Sequence, residues 1–354
     1  MEACSSLRAL LDRLLDGEDM PQAQAADLLT ALTAPELPPA LVAGLLAALR
    51  AKGVTADELR GFARSMRALA RRPPLVGADA ALDIVGTGGD RSGSLNLSTG
   101  AALLAAATGI PIVKHGNRSI SSRAGSADVL QALGLPLPLD EPAAMRCFAA
   151  LNFTFLFAPF YHPAMRNIAD VRAALGVRTV FNILGPLTNP ASPPYLLIGA
   201  YDLAIAELMA NALRGSEIQR AFVIHGAAGW DEPTPIGPFT LFDVGANGVR
   251  RETRSPADYG LPLCDASALA GGDAAFNAAE LSRTLSGHAD ARAGAHRDAL
   301  LLGASLALEL TGREASPRQG LSRAAHAIDS GAAAALLSRL QQFGAAEQAR
   351  AGAA

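Results

Sequence analysis

Near residue 80 the residue pattern switches from helix alone to strand, glycine turn and helix, so a helical segment must precede an α/β one. Before the switch, Leu7, Leu10, Leu11, Leu14 and Leu15 recur at helical spacing, and Pro39 to Lys52 is a second apolar helix stopped by Gly53. Thr55 and Glu58 form a capping box that opens a further helix, and Arg71-Arg72-Pro73-Pro74 reads as a linker. After the switch, strands are predicted at Leu82–Val85, Ile110–Lys114, Phe153–Phe157, Leu196–Ala200 and Ala221–Ile224. Helices are predicted from Ser98 to Thr108, from a Ser126 cap to Gly134, from Pro163 to Leu175, and from Asp298 to Phe343, with fraying beyond Gly344. The expected fold is α/β: a small all-helical N-terminal domain, residues 1–72, and a larger domain, residues 73–354, with a central mixed or parallel sheet. No internal repeat is visible.

Composition narrows the function class. Half of the 354 residues are hydrophobic and 18% are charged, which suits a sizeable core. Lys+Arg 30 against Asp+Glu 33 leaves a net charge of -3 without a basic block, so no nucleic-acid partner is expected. The most apolar stretch, Ala101 to Val113, is too short to span a bilayer, and no signal segment is seen; a cytoplasmic protein is expected. Cys4, Cys147 and Cys264 are too widely spaced for a disulfide framework or a zinc site and read as packing residues. Only Lys52 and Lys114 are lysines, so a compact ammonium at Lys114 stands out among arginines.

Three loops carry candidate chemistry. Gly86-Thr87-Gly88-Gly89-Asp90 follows a strand and precedes a helix, where bare backbone N–H groups and the helix terminus favour an anion. It is neither a Walker loop nor a dinucleotide fingerprint, and Ser94 to Thr99 adds hydroxyls and an amide where the helix starts. Lys114 to Ser122 gathers cations, an imidazole, an amide and hydroxyls at the carboxyl end of the next strand, where open α/β sheets bind ligands. Asp231-Glu232 lies in a glycine-bearing loop, and adjacent carboxylates can hold Mg2+ together with phosphates and water. An Asp-Glu pair is ordinarily just solvated, as expected of Glu18-Asp19, Asp57-Glu58 and Asp140-Glu141; the two anion-friendly loops single out Asp231-Glu232.

The stretches DIVGTGGDRSGSLNLST from Asp83, KHGNRSISSRAGSADVLQALG from Lys114 and HPAMRNIADVRAALGVRTVFNILGPLTNP from His162 closely resemble the anthranilate phosphoribosyltransferase family. The resemblance runs from the N-terminal helices to Ile328-Asp329-Ser330-Gly331. It implies a fold of the nucleoside phosphorylase/phosphoribosyltransferase type, with helices from about 163 to 195 packing on the helical domain. It further implies a homodimer formed through that domain and an active site between the two domains. Phosphoribosyl diphosphate (PRPP) would meet Gly86, Gly89, Asp90, Ser94, Asn96, Leu97, Ser98, Thr99, Lys114, His115, Gly116, Asn117, Arg118, Ser119, Ile120, Ser121, Ser122 and Ser126. Mg2+ would be held by Ser98, Asp231 and Glu232, and the aromatic acceptor would meet Gly86, Asn117 and Arg172, with His115, His162 and Pro186 along its path. The implied reaction moves the 5-phosphoribosyl group to the amine of anthranilate, a step of tryptophan biosynthesis.

The expected mechanism has no obligatory catalytic base: positioning and charge stabilisation by Lys114, Asp231 and Glu232 suffice. Ser94-Leu95 replaces a usual Thr-Phe, Ala124 a common serine, and Trp230 to Pro235 is unusually rich in proline. Arg166, Arg172 and Arg178 all lie in or just after the predicted helix at Pro163, where a solvated face is the ordinary reading; it is accepted for Arg166. Same-fold alternatives are an enzyme using another aromatic amine, a pyrimidine nucleoside phosphorylase, or a non-catalytic nucleic-acid binder. The phosphorylase pattern Lys-His-Ser-Thr-Gly-Gly is not met by Val85 to Gly89, and a nucleic-acid binder predicts a basic face.

Overall fold

The computed structural model describes residues 2–35, 37–118, 123–288 and 291–353. Four helices come first: α1 (Glu2–Leu15), α2 (Gln22–Leu32), α3 (Pro39–Lys52) and α4 (Ala56–Ala68). Gly53 ends α3 at φ 87, and the Thr55 hydroxyl and Glu58 carboxylate close the expected capping box on α4.

The α/β part runs β1 (Leu82–Gly86), α5 (Leu97–Ala107), β2 (Ile112–Gly116), α6 (Ser126–Ala132), α7 (Glu141–Leu151), β3 (Phe153–Phe157) and α8 (Ala158–Tyr161). It continues through α9 (Ala169–Leu175), α10 (Phe181–Leu184), β4 (Tyr195–Gly199), α11 (Leu203–Leu213), β5 (Arg220–His225), β6 (Phe239–Gly245) and β7 (Gly248–Arg254). Helices α12 (Pro256–Tyr259), α13 (Ala274–Leu285), α14 (Ala291–Leu310), α15 (Pro317–Asp329) and α16 (Ala332–Ala353) complete it.

The sheet order is β3-β2-β1-β4-β5-β6-β7. Strands β3 to β5 are parallel neighbours, while β6 and β7 add an antiparallel edge. The chain builds outward from β1 to β2 and β3, then returns to lay β4 on the other side of β1. That reversal puts a crevice at the carboxyl ends of β1 and β4, where open α/β sheets take their ligands.

Strand alternation decides the packing, because successive side chains face opposite sides. Leu196, Ile198, Ala221, Val223, Phe242 and Val244 join one buried cluster with the N-terminal helices, and Ile168, Val180, Phe181, Ile183, Leu184 and Leu187 join it too. Their neighbours Leu197, Phe222, Ile224 and Leu241 face the opposite cluster, with α5 and α14.

Four sequence expectations change. The antiparallel hairpin β6–β7 escaped the pattern because β7 reads GVRRETR, a charged edge strand whose arginines pair with Asp243, Glu252 and Glu309. Ser126 is the first residue of α6 and not its cap; the Gly125 N–H donates to Asp128 instead. The helix expected from Pro163 to Leu175 is a 3-10 turn, Pro163–Ile168, followed by α9. The end beyond Gly344 stays helical, since its alanines favour a helix and Arg146 grips Glu347 at 2.9 Å. No helix among the described residues is long and apolar enough to cross a membrane.

Candidate active site

The β1 turn is built by glycine. Gly88 and Gly89 take φ 67 and φ 79 in succession, a region that side-chain-bearing residues rarely enter. Gly86 and Gly199 end the two strands flanking the crevice, and each is glycine for a steric reason. A Cβ on Gly86 would lie 2.3 Å from Asp231 Oδ2, and one on Gly199 would lie 1.5 Å from the Asp231 carbonyl oxygen. The loop bearing Asp231 is thereby seated on the topological switch point. Gly88 N–H donates to Asp231 Oδ2 at 2.6 Å, and Ser98 N–H, at the start of α5, donates to Glu232 Oε1 at 2.8 Å. Sequence-distant segments therefore converge: the glycine turn, the α5 terminus and the acidic pair.

Asp231 and Glu232 are buried, and both carboxyls are pushed above the ordinary carboxylate range by burial. For Asp231 the next cause is repulsion from Asp90, and for Glu232 repulsion from Asp231. Glu232 Oε2 has no hydrogen-bond partner among the described residues. Crowded carboxyls with an unspent oxygen fit a divalent cation. Among the described residues no three His, Cys, Asp or Glu side chains form a complete metal cage. Mg2+ takes only one or two carboxylates and leaves its other positions to phosphate and water.

Lys114 projects from β2 into the same region. Its ammonium donates to the Ile84 carbonyl and lies 3.5 Å from Ser98 Oγ. Burial lowers its pKa, against the attraction of Asp83, Glu232 and Asp231. Asp83, on β1, accepts from His115 N–H at 3.2 Å and from Asn189 Nδ2 at 2.9 Å. Burial raises the Asp83 carboxyl to about 6, against the attraction of Lys114. Sequence reasoning missed Asp83 and Asn189, because Asp83 sits in an apolar strand and its partner lies 106 positions away.

The other expected PRPP contacts divide in two. Gly116 ends β2 with Asn117 next to it, Asp90 lies beside Asp231 and Ser94 bridges to Ala270, but Asn96 is also a structural hub, with its amide bonded to the Ala124 carbonyl at 3.1 Å and to Asn277 at 2.8 Å. The Leu97 side chain is buried in the core, so only its backbone could face an anion. Thr99 Oγ1 is buried and unpartnered among the described residues. Ser126 Oγ is 3.3 Å from the Asn117 carbonyl. Arg118 turns onto α6, pairing with Asp128 at 2.5 Å and Gln131 at 2.8 Å. Ser119, Ile120, Ser121 and Ser122 lie outside the described residues.

On the acceptor side, the His115 and His162 rings meet edge to face at 5.1 Å. His115 Nδ1 is 3.1 Å from the carbonyl of Gly185, next to Pro186. A carbonyl only accepts, so Nδ1 carries the proton and Nε2, unpartnered among the described residues, is an acceptor. Burial lowers His115 to about 3, helped by His162, and lowers His162 to about 4, so both rings are neutral. Arg172 lies on α9 with its guanidinium 5.2 Å from the Phe181 ring centroid, and burial lowers its pKa. Among the described residues no ion pair, and no hydrogen bond to Gly86 or Asn117, holds its guanidinium. Arg178, another of the three cations along that segment, donates to the Gly89 carbonyl at 2.5 Å.

Two descriptions divide the chain between them: "Glycosyl transferase family, helical bundle domain" matches residues 8–70, and "Glycosyl transferase family, a/b domain" matches residues 78–334. A curated relative, anthranilate phosphoribosyltransferase of Desulforudis audaxviator, is 44% identical over 95% of this chain and 96% of its own. The crystal structure of anthranilate phosphoribosyltransferase from Thermus thermophilus shares 42% identity at a TM-score of 0.87, covering 94% of this chain and 98% of that one. The Saccharomyces cerevisiae enzyme in complex with PRPP and Mg shares 26% identity at a TM-score of 0.87, over 97% and 98%.

Proposed function

The chain belongs to the anthranilate phosphoribosyltransferase family, and from that membership we propose that it transfers the 5-phosphoribosyl group of PRPP to the amine of anthranilate, releasing diphosphate. The observation that carries this reading is the meeting of the glycine turn, the α5 terminus, Lys114 and the buried Asp231-Glu232 pair at one switch point. Such a site suits a metal-bound polyanion.

In this reading the Lys114 ammonium and the turn at Gly89 and Asp90 bind the diphosphate oxygens, with Ser94 and Asn117 fixing its orientation, while the Gly88 and Ser98 N–H groups hold the Asp231 and Glu232 carboxylates. Asp231, Glu232 and Ser98 hold Mg2+, which when bound neutralises charge on the leaving diphosphate. The amine nitrogen attacks the anomeric carbon as that carbon's bond to diphosphate breaks, through an oxocarbenium-like transition state. Positioning the two reactants and stabilising developing charge are what the protein supplies. Arg172 is the acceptor's carboxylate partner: a planar guanidinium free of ion pairs among the described residues, ready for a bidentate contact. Neutral His115 and His162, with Pro186, line a path that admits an uncharged aniline nitrogen.

In the same reading residues 1–72 form the helical domain and residues 73–354 the PRPP-binding one. A cytoplasmic homodimer pairs through the first helices, where Leu15 is 66% exposed. The test is diphosphate release from PRPP and Mg2+ with a panel of aromatic amines: anthranilate should be the best acceptor, and a preference for another amine would overturn the acceptor assignment. Light scattering at micromolar concentration should find a dimer; a monomer would contradict the pairing.

A further inference from the structure

We propose that Arg178 is a positioning residue for the diphosphate-binding turn and that it makes the turn answer to the helical domain; the inference rests on the function proposed above. Arg178 lies between α9 and α10, two residues past Gly176, which caps α9 at φ 61. Its guanidinium makes two contacts at once. Nη2 donates to the Gly89 carbonyl at 2.5 Å, and the plane stands 4.0 Å from the centroid of the Tyr201 ring. Tyr201 in turn donates its backbone N–H to Thr87 Oγ1 at 3.2 Å, so one side chain braces the turn at Gly89 and, through Tyr201, at Thr87.

The backbone calls for glycine at position 89, and a side chain there would push the Arg178 guanidinium off the carbonyl. The Gly89 φ of 79 disfavours a side chain, and a Cβ there would lie 2.9 Å from Arg178 Nη2. A trans peptide points its C=O and the following N–H in opposite directions. Capture of the Gly89 carbonyl therefore aims the Asp90 N–H away from Arg178 and holds a turn of two left-handed glycines in a single arrangement. Without that grip two adjacent glycines have many alternatives, and ordering them would fall to the ligand.

Arg178 is itself held from the other domain. Its carbonyl accepts from the Arg50 guanidinium on α3. One residue is thus gripped through its backbone by the helical bundle and grips the anion turn through its side chain. No carboxylate pairs with it among the described residues, so its positive charge remains available to the field at the turn. A lysine has neither the flat face for Tyr201 nor the fork, so charge alone does not substitute.

The experiment compares Arg178→Ala, Arg178→Lys, Arg50→Ala and the Arg50→Ala/Arg178→Ala pair. Calorimetry of inorganic diphosphate with Mg2+ reads the turn without acceptor or turnover, and steady-state kinetics reads KM for each substrate. Arg178→Ala should weaken diphosphate and raise KM for PRPP by about 10-fold or more, with KM for anthranilate changed by less than about 2-fold. Arg178→Lys should recover little, and millimolar methylguanidine should partly restore Arg178→Ala. Arg50→Ala should show a smaller loss, about 3-fold, and the double variant should be no worse than Arg178→Ala, because both act through one contact. Unchanged diphosphate affinity in Arg178→Ala, full rescue by lysine, or additive losses in the double variant would overturn the proposal. If Arg178→Ala fails to fold, the Lys and Arg50 variants decide it by the same readouts. A parent that binds diphosphate but does not use anthranilate would remove the functional reading and leave the role of Arg178 standing on calorimetry.

Discussion

The two lysines of the chain, Lys114 buried and Lys52 half-buried, stand one in each half of the molecule and are held in opposite ways. Lys52, in the helical bundle, contacts Asp19 at 2.6 Å and Glu58 at 3.0 Å. Burial works against its charge, but its hydrogen bonds to both carboxylates, with their attraction, outweigh it and raise its pKa. Glu58 is fully buried and also accepts from Met20 N–H at 2.9 Å and Thr55 N–H at 2.8 Å. Every charge in that node has a partner. Lys114 sits near three carboxylates yet forms no ion pair within 4.0 Å among the described residues, and burial lowers its pKa. Beside it Glu232 keeps an oxygen unspent. The bundle node is closed and the sheet node is left open, and buried charge without a partner costs stability.

The strongest way to separate the nodes is to remove the open one. Replacing Asp231 and Glu232 together by Ala should nearly abolish turnover while the thermal midpoint holds or rises, since two crowded buried carboxyls leave with their repulsion. Undiminished turnover of the parent in excess chelator would end the metal assignment. The closed node should behave in reverse. Glu58→Ala strips an ion pair and two backbone contacts, so urea denaturation should lose about 3 kcal/mol while both KM values stay within error. A kinetic defect at full stability would show that the bundle node belongs to the site.

Arg172→Ala tests the acceptor end. Hydrogen bonds between charged groups contribute about 1.5–3 kcal/mol, so kcat/KM for anthranilate should fall by roughly 10- to 150-fold with KM for PRPP unmoved. Equal loss of both substrates, or undiminished discrimination against aniline lacking a carboxylate, would refute the assignment. The smallest effect concerns pH. His115 and His162, at about 3 and about 4 when folded, hold fewer protons than in the unfolded chain, where histidine titrates near 6.5. Their contribution to stability is complete above about 6.5 and declines as pH falls toward those folded values. His162→Phe should remove its share, about 1 kcal/mol at pH 5.5, and flatten the acid side of the stability curve. Parallel curves for parent and variant would show that the ring is not buried neutral.

The division between helices and α/β, most strands and the glycine turn were legible in residue order. Local periodicity and turn chemistry act over a few neighbours, and those neighbours are adjacent in the chain. Asp57-Glu58 shows the limit: it reads like any solvated pair, yet Glu58 is fully buried and Asp57 exposed. Arg178 likewise reads as one of three cations along a helix, and Asp83 as a stray polar residue in a strand. What each became depended on partners contributed by other elements.

Order along the chain thus determined which segments are helices and strands, where glycine must stand, and which family the molecule resembles. Tertiary structure alone decided which charges are closed and which stay open. The Asp231 carboxylate meets Gly88 across 143 positions and Glu232 meets Ser98 across 134, distances over which no local pattern carries information. Whether a buried polar group is satisfied depends on what other elements bring within hydrogen-bond reach.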